Sequence, residues 1–415
     1  MTQSMERFGL LLLVAALVAL IARRFKLPYT AGLVAAGLVI GGLRLAPSVT
    51  LTPSLLFNAL LPPIIFDAAI RLRWSDLRHS LPLVLVLTTF GVVISATVTA
   101  AGMRWLAGWP MPAAMMFGAL IAATDPLSVI ATLKDMRIGG RFRTILEAES
   151  LLNDGSAAIL FALAADMVRA HQMPVRAMLS AATFQTCGSV LLGIAFAITA
   201  LFFAGRSQDH LVELTFTTLT AWGAFLTAGV LGLSGIVAVL TAGLVMGNAG
   251  THSGLTPAGH EAVDGFWEYA AFIANSIAFL LLGIAGAREP LTSVAAVASI
   301  AVIVVLAARA VAVAACCLPF ARLRRTVSLR GQALLVMGGL RGALALALAM
   351  VLPSALAHRN VVQAVTFIVA GFSVLVQSFA IAPLARRLPN DDAGASRQPA
   401  ASPSTKRAKK SGGAA

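Results

Sequence analysis

One short stretch of this chain concentrates groups that can bind or exchange a charge: Glu149-Ser150-Leu151-Leu152-Asn153-Asp154. Read as a helix, Glu149 and Asn153 stand four residues apart, as do Ser150 and Asp154, so the two pairs form one polar stripe. The stripe lies inside an otherwise apolar segment. Carboxylate, hydroxyl and amide oxygens are hard ligands; they suit a proton, or a cation that trades its hydration shell for protein oxygens. No His or Cys stands nearby to suggest a transition metal. A second acid, Asp125, lies between Thr124 and Pro126 in the preceding apolar segment, and Arg309 and Arg341 also fall inside apolar segments. A charged side chain at bilayer depth is costly, and is kept there for function or for pairing. One carboxylate that can hold either a proton or a cation suffices for exchange, and Asp154 is the candidate. Glu149 and Arg341 have a second reading, as a buried ion pair joining their two segments. Arg309 is either a pairing partner or a lining residue. Asp67, which follows Leu61-Pro62-Pro63-Ile64-Ile65-Phe66, either draws cations toward the site or pairs with Arg71 or Arg73. None of the deep acids has a His partner, so no catalytic residues are expected, and no cofactor.

The elements that must hold these groups are apolar helices. The chain has 415 residues, of which 59% are hydrophobic and 12% charged. Soluble domains are nearer to about 25% charged, so the composition excludes a soluble enzyme, a disordered chain and a disulfide-rich secreted domain. Cys187, Cys316 and Cys317 lie in apolar runs and are expected to be small buried residues. Thirteen apolar segments are expected to cross a membrane: 8–22, 28–46, 51–70, 81–103, 112–133, 146–168, 179–204, 211–231, 233–248, 262–286, 291–320, 329–356 and 361–385. The fold class is therefore an all-α polytopic membrane protein. The first segment lacks a small-x-small cleavage site and is read as a retained helix. Fifteen Lys and Arg follow odd-numbered segments and six follow even-numbered ones. Basic loops stay in the cytoplasm, which places the N-terminus outside and the C-terminus inside. The net charge of +14 thus reports topology in the lipid bilayer, not nucleic-acid binding. Residues 389–415, rich in Pro, Ser, Ala, Gly and Lys, read as a short disordered basic tail after a transmembrane unit spanning 1–388.

Segments one to six (about 8–168) and eight to thirteen (about 211–385) form two units, joined by a linking helix at 179–204. The offset of seven is odd, so counterparts run in opposite directions: an inverted repeat of the kind secondary transporters use. Segments five and twelve are counterparts, and both are interrupted. Five holds Thr124-Asp125-Pro126 and twelve holds Gly338-Gly339-Leu340-Arg341-Gly342. Pro cannot donate a backbone hydrogen bond, and Gly loosens a helix. Broken backbone at membrane depth is tolerated where it is buried in protein or lines a cavity, so the two breaks are expected to meet at mid-membrane. A cation channel is the rival reading, but it needs no such pair of broken helices.

Five motifs in order, Leu61–Asp67, Thr124–Pro126, Glu149–Gly155, Phe266–Tyr269 with Asn275-Ser276, and Gly338–Ala343, resemble those of the monovalent cation/proton antiporters of the NhaP/NHE type. The likeness runs from about residue 7 to 388. It implies electroneutral exchange of sodium, often lithium too, for protons, by an elevator-like movement in a homodimer in the cell (inner) membrane. A potassium-preferring antiporter is the alternative. Carried over, Asp154 binds the alkali cation or the proton. Asp125 and Thr124 sit at the crossing and complete the site with Ser150, and Asn153 is the neutral partner of the aspartate. Glu149 is the expected ion-pair partner of Arg341. The family often has Glu where this chain has Asp67, so the shorter side chain weakens any direct part for it in the ion path.

Overall fold

The computed structural model describes residues 2–25, 28–43, 52–125, 127–136, 140–170, 174–207, 209–253, 256–287, 291–323 and 327–387. Pro126, several basic loop residues and the tail 389–415 lie outside the described residues. Among those described, all regular structure is helical apart from one isolated β-bridge. This follows from the solvent. In lipid every backbone N–H and C=O must be satisfied within its own segment.

Each of the thirteen apolar segments is occupied by helix. The first three are α1 (Thr2–Phe25), α2 (Tyr29–Gly42) and α3 (Leu61–Ile70), the last entered through a π-helical stretch, Leu55–Leu60. The fourth joins α4 (Trp74–Val86) to α5 (Val92–Leu106) through a π turn, Leu87–Gly91. The fifth is two short helices, α6 (Met111–Ile121) and α7 (Leu127–Asp135). Then come α8 (Arg141–Ala170), α9 (Val175–Ala204), α10 (His210–Val230), α11 (Gly235–Ser253), α12 (Pro257–Gly286) and α13 (Leu291–Cys317). The twelfth segment is broken into α14 (Leu329–Gly338) and α15 (Ala343–Met350). The last comprises α16 (Arg359–Phe372), a π turn, Ser373–Gln377, and α17 (Ser378–Ala385). Among the described residues, seven continuous helical stretches are long and apolar enough to cross a membrane by length and composition. The split after α10 is a tight turn: Gly232 adopts φ +68°, and Leu233 N donates to Ala228 O at 2.8 Å.

Packing sets up the centre. α2 lies along α12, and α3 lies against α11 and α12. α5 packs against α6 and α13, α4 against α8, and α15 against α16. Lipid tails are as apolar as Leu, so these contacts are held by close fit and by hydrogen bonds rather than by hydrophobic exclusion. The fully buried Trp267 illustrates both, donating from Nε1 to Thr217 Oγ1 at 2.9 Å and packing on Phe66 at 4.4 Å between ring centroids. Tyr29 Oη and Ser276 Oγ, 2.7 Å apart, tie α2 to α12 in the same way. Within the motif at Phe266–Tyr269 and Asn275-Ser276, Trp267 and Ser276 thus make contacts between helices. Glu213, which the sequence reading passed over, is buried on α10. Its carboxylate accepts from Thr256 N and Oγ1 at 3.2 Å, capping the positive end of α12.

One expectation fails at the cysteines. Cys316 and Cys317 are buried, but Cys187 is exposed on α9. That helix has little of its surface covered by protein, and an apolar run reads the same whether it faces lipid or core.

Candidate functional site

The two breaks meet. Asp125 N donates to Leu340 O at 2.7 Å, the one isolated bridge among the described residues. This contact crosses the gap after α6 over the gap after α14. Both gaps expose helix ends whose last carbonyls lack intrahelical partners. The molecule satisfies them with side chains from its neighbours.

At the first break, α8 supplies the partners. Asn153 Nδ2 donates to Ala122 O at 3.1 Å and to Thr124 Oγ1 at 2.8 Å. Ser150 Oγ donates to Thr124 O. Thr124, Ser150 and Asn153 are all buried. The i,i+3 spacing of Ser150 and Asn153 puts both on the α8 face that meets the break. Asp154, next along the helix, faces the Thr124 backbone amide, with the Asp125 and Glu149 carboxylates in electrostatic reach.

Arg341 reaches across from the second break. Its Nη1 donates to Ala122 O at 3.1 Å and Ala123 O at 3.2 Å, setting a cation on the negative end of α6. Asp125 does the converse. Its side chain stands against Gly342, the residue that precedes α15, where an acid meets a positive helix end. This contact requires a glycine. A Cβ on Gly342 comes 2.2 Å from Asp125 Cβ and 2.6 Å from Oδ2. Gly342→Ala protein is expected to lose about 1–3 kcal/mol of stability to overpacking. Unchanged thermal unfolding in detergent micelles counters this and shows that the crossing relaxes freely.

The expected pairing of Glu149 with Arg341 is corrected. Glu149 pairs with Arg309 of α13: Nη1–Oε1 and Nη2–Oε2 are both 2.9 Å, with side chains 4% and 2% exposed. The reason is competition. Arg341 is committed to the helix-end carbonyls, whereas Arg309 enters from an apolar helix, where its Nη2 also donates to Leu335 O at 3.4 Å. In a low dielectric, an isolated cation takes the acid within reach.

Asp67 is not brought to the crossing. It pairs with Arg71 at 2.8 Å, and Arg71 also donates to Asp264 O at 2.8 Å, tying α3 to α12. The structure therefore gathers Thr124, Asp125, Ser150, Asn153 and Asp154, sets Arg341 and the Glu149–Arg309 pair beside them, and leaves Asp67 in an ion pair. Sequence reasoning missed Ser373 and Gln377. Their i,i+4 spacing in the last apolar segment was the available signal.

Two oxygens in this cluster are buried without a hydrogen-bond partner among the described residues: Asn153 Oδ1 and Asp154 Oδ1. Buried acceptors are almost always satisfied, and an orphan calls for an explanation such as an ion or a proton. The donor set is all oxygen, with no cluster of His, Cys, Asp or Glu among the described residues that fits a bound metal cofactor. It fits a transported alkali cation or a proton instead.

An all-helical, multi-pass membrane protein whose broken helices cross beside a buried carboxylate belongs to the class of ion-coupled carriers. A sequence profile described as "Sodium/hydrogen exchanger, transmembrane" matches residues 10–387, and the chain belongs to that family. It is 34% identical over 372 residues to the Na(+)/H(+) antiporter ApNhaP of Aphanothece halophytica, covering 88% of this chain and 70% of that protein. It is 32% identical to the Na(+)/H(+) antiporter NhaP of Pseudomonas aeruginosa, covering 79% and 80%. The fold is that of the sodium proton antiporter MjNhaP1 of Methanocaldococcus jannaschii: TM-score 0.75, 20% identity, 93% of this chain and 99% of that one.

Proposed function

We propose that this chain exchanges sodium, and lithium, for protons across the cell membrane, with both ions competing for Asp154. The observation that carries this reading is the pair of orphaned buried oxygens, Asn153 Oδ1 and Asp154 Oδ1, beside the crossing. A sodium ion accepts electron pairs from both; a proton neutralises the second alone. Thr124, Ser150 and Asp125 complete the set of oxygens around the break. Either ion brings the site to the same charge, so one-for-one exchange is electroneutral. The empty site keeps an extra negative charge, and an unpaired acid at the bilayer centre costs about 2.5–3.5 kcal/mol on insertion scales. That penalty holds back the empty site and couples the two fluxes.

The packing supports an inverted repeat under the seven-segment offset. That offset turns the contact of α3 with α11 into the contact of α12 with α2, and both are present. It maps the broken pair α6–α7 onto α14–α15. In the same reading the N-terminus is outside, the C-terminus is cytoplasmic and the working unit is a homodimer.

The test is proton efflux from acid-loaded proteoliposomes when sodium, lithium or potassium is added outside. Sodium and lithium are expected to drive saturable efflux, and potassium is not. Efflux driven by potassium alone replaces the cargo and keeps the mechanism. A conductance without proton coupling overturns the antiporter in favour of a channel.

A further inference from the structure

The second break is held by a device that mirrors the first and that no motif announces. At the first break, Ser150 and Asn153 of α8 satisfy Thr124 O and Ala122 O. At the second, Ser373 and Gln377 of the π turn do the corresponding work. Gln377 Nε2 donates to Met337 O at 2.7 Å, satisfying a carbonyl at the end of α14. Ser373 Oγ accepts from Arg341 N at 3.0 Å and donates to Gln377 Oε1 at 3.0 Å. The three groups form one continuous chain from the end of α14 to the backbone of Arg341. Ser373 is 2% exposed and Gln377 is 7% exposed, so water does not substitute for these bonds. The π turn is what brings this pair to the break, and such turns gather at functional positions.

A small cavity, with room for about one water, borders the break at Arg309, Gly339, Arg341, Ser373 and Gln377 among others. The hydrogen bonds act together with the close packing of Leu340 and Arg341 to set where Leu340, Arg341 and Gly342 stand. Those three residues in turn set the first break: Leu340 O receives Asp125 N, Gly342 bounds the Asp125 side chain, and Arg341 Nη1 holds Ala122 O and Ala123 O.

We propose that Ser373 and Gln377 are positioning residues for the cation site, acting through the second break on Asp125 and on the Ala122–Thr124 carbonyls. They touch no transported ion. Their effect is on how well the oxygens converge, and so on cation affinity against the competing proton. The inference rests on the sodium/proton exchange reading and adds residues to it.

The experiment measures the half-saturating sodium concentration at fixed pH, the maximal rate and thermal stability in reconstituted full-length protein. The variants are Ser373→Ala, Ser373→Thr and Gln377→Leu. Ser373→Ala is expected to raise half-saturating sodium roughly threefold or more, the scale of one buried hydrogen bond lost. Ser373→Thr, which keeps the hydroxyl, restores it. Gln377→Leu shifts it in the same direction. If Gln377→Leu does not fold, Ser373→Ala, which removes one oxygen atom, decides alone. Unchanged half-saturation in Ser373→Ala overturns the proposal, and so does a loss of thermal stability without a change in half-saturation, which marks a structural role only. Absence of any sodium-driven efflux in the wild-type protein overturns the exchange reading beneath it, and the proposal with it.

Discussion

Asp154→Asn protein is expected to show no measurable sodium-driven proton efflux, with the rate down by roughly two orders of magnitude or more. Asn keeps the shape and the helix propensity of α8 while removing the charge. The site then has no group that both a proton and a sodium ion can neutralise. Taking one partner from a buried charge interaction costs about 3–5 kcal/mol, which converts to that loss of affinity. Folding is expected to survive, because Asn keeps an acceptor oxygen for the Thr124 backbone amide and Asp154 Oδ1 has no hydrogen-bond partner among the described residues to forfeit. Two measurements check this together: efflux from proteoliposomes matched for protein content, and thermal unfolding. Near wild-type efflux in folded protein moves the ion site elsewhere, with Asp125 the next acid to replace.

The contrast between Asp154 and the groups around it shows what a sequence can carry for such a protein. The apolar segments were legible because lipid selects apolar helices, and helix lies in each of them, while seven stretches among the described residues have the length and hydropathy of a full span. Both interruptions were legible too, since Gly339, Arg341 and Gly342 in one and Asp125 in the other contradict an apolar helix. Their meeting was the expectation for broken backbone at membrane depth, and Asp125 N does reach Leu340 O. Partners were not legible. Whether Glu149 faces Arg309 or Arg341 depends on which guanidinium the helix-end carbonyls have already taken, and that is a property of side-chain direction rather than of spacing. Asp67 shows the reverse, since Arg71 four residues on was the nearest expectation and is the partner found. Cys187 and Glu213 expose a further limit. Hydropathy separates lipid-compatible from polar segments, but it does not separate the lipid-facing side of a helix from the protein-facing one. An exposed Cys and a buried Glu are equally invisible to it. Ser373 and Gln377 were missed for a related reason. Ser and Gln carry no charge, so they stand out less than a buried acid or base until the backbone groups they serve are seen.

Glu149→Gln is expected to destabilise the protein by about 3–5 kcal/mol while leaving sodium half-saturation near the wild-type value in the folded fraction. The substitution leaves Arg309 charged, buried and without a counter-ion between α8 and α13. The cost comes from the stranded partner, so Arg309→Gln is expected to cost a similar amount by stranding Glu149. The double variant Glu149→Leu/Arg309→Met then recovers most of the loss, because it removes both charges and refills the space with apolar atoms. The pair is suited to such a rescue. Glu149 Oε1 and Arg309 Nε have no well-aligned hydrogen bond, so little network is lost with them. The same cycle run with Arg341 in place of Arg309 is expected to show much weaker coupling, since Arg341 spends its guanidinium on Ala122 O and Ala123 O. Thermal unfolding of the single and double variants reads out both cycles. Strong Glu149–Arg341 coupling with weak Glu149–Arg309 coupling reverses the pairing. Normal stability of Glu149→Gln with weakened sodium affinity makes Glu149 an ion ligand rather than a strut.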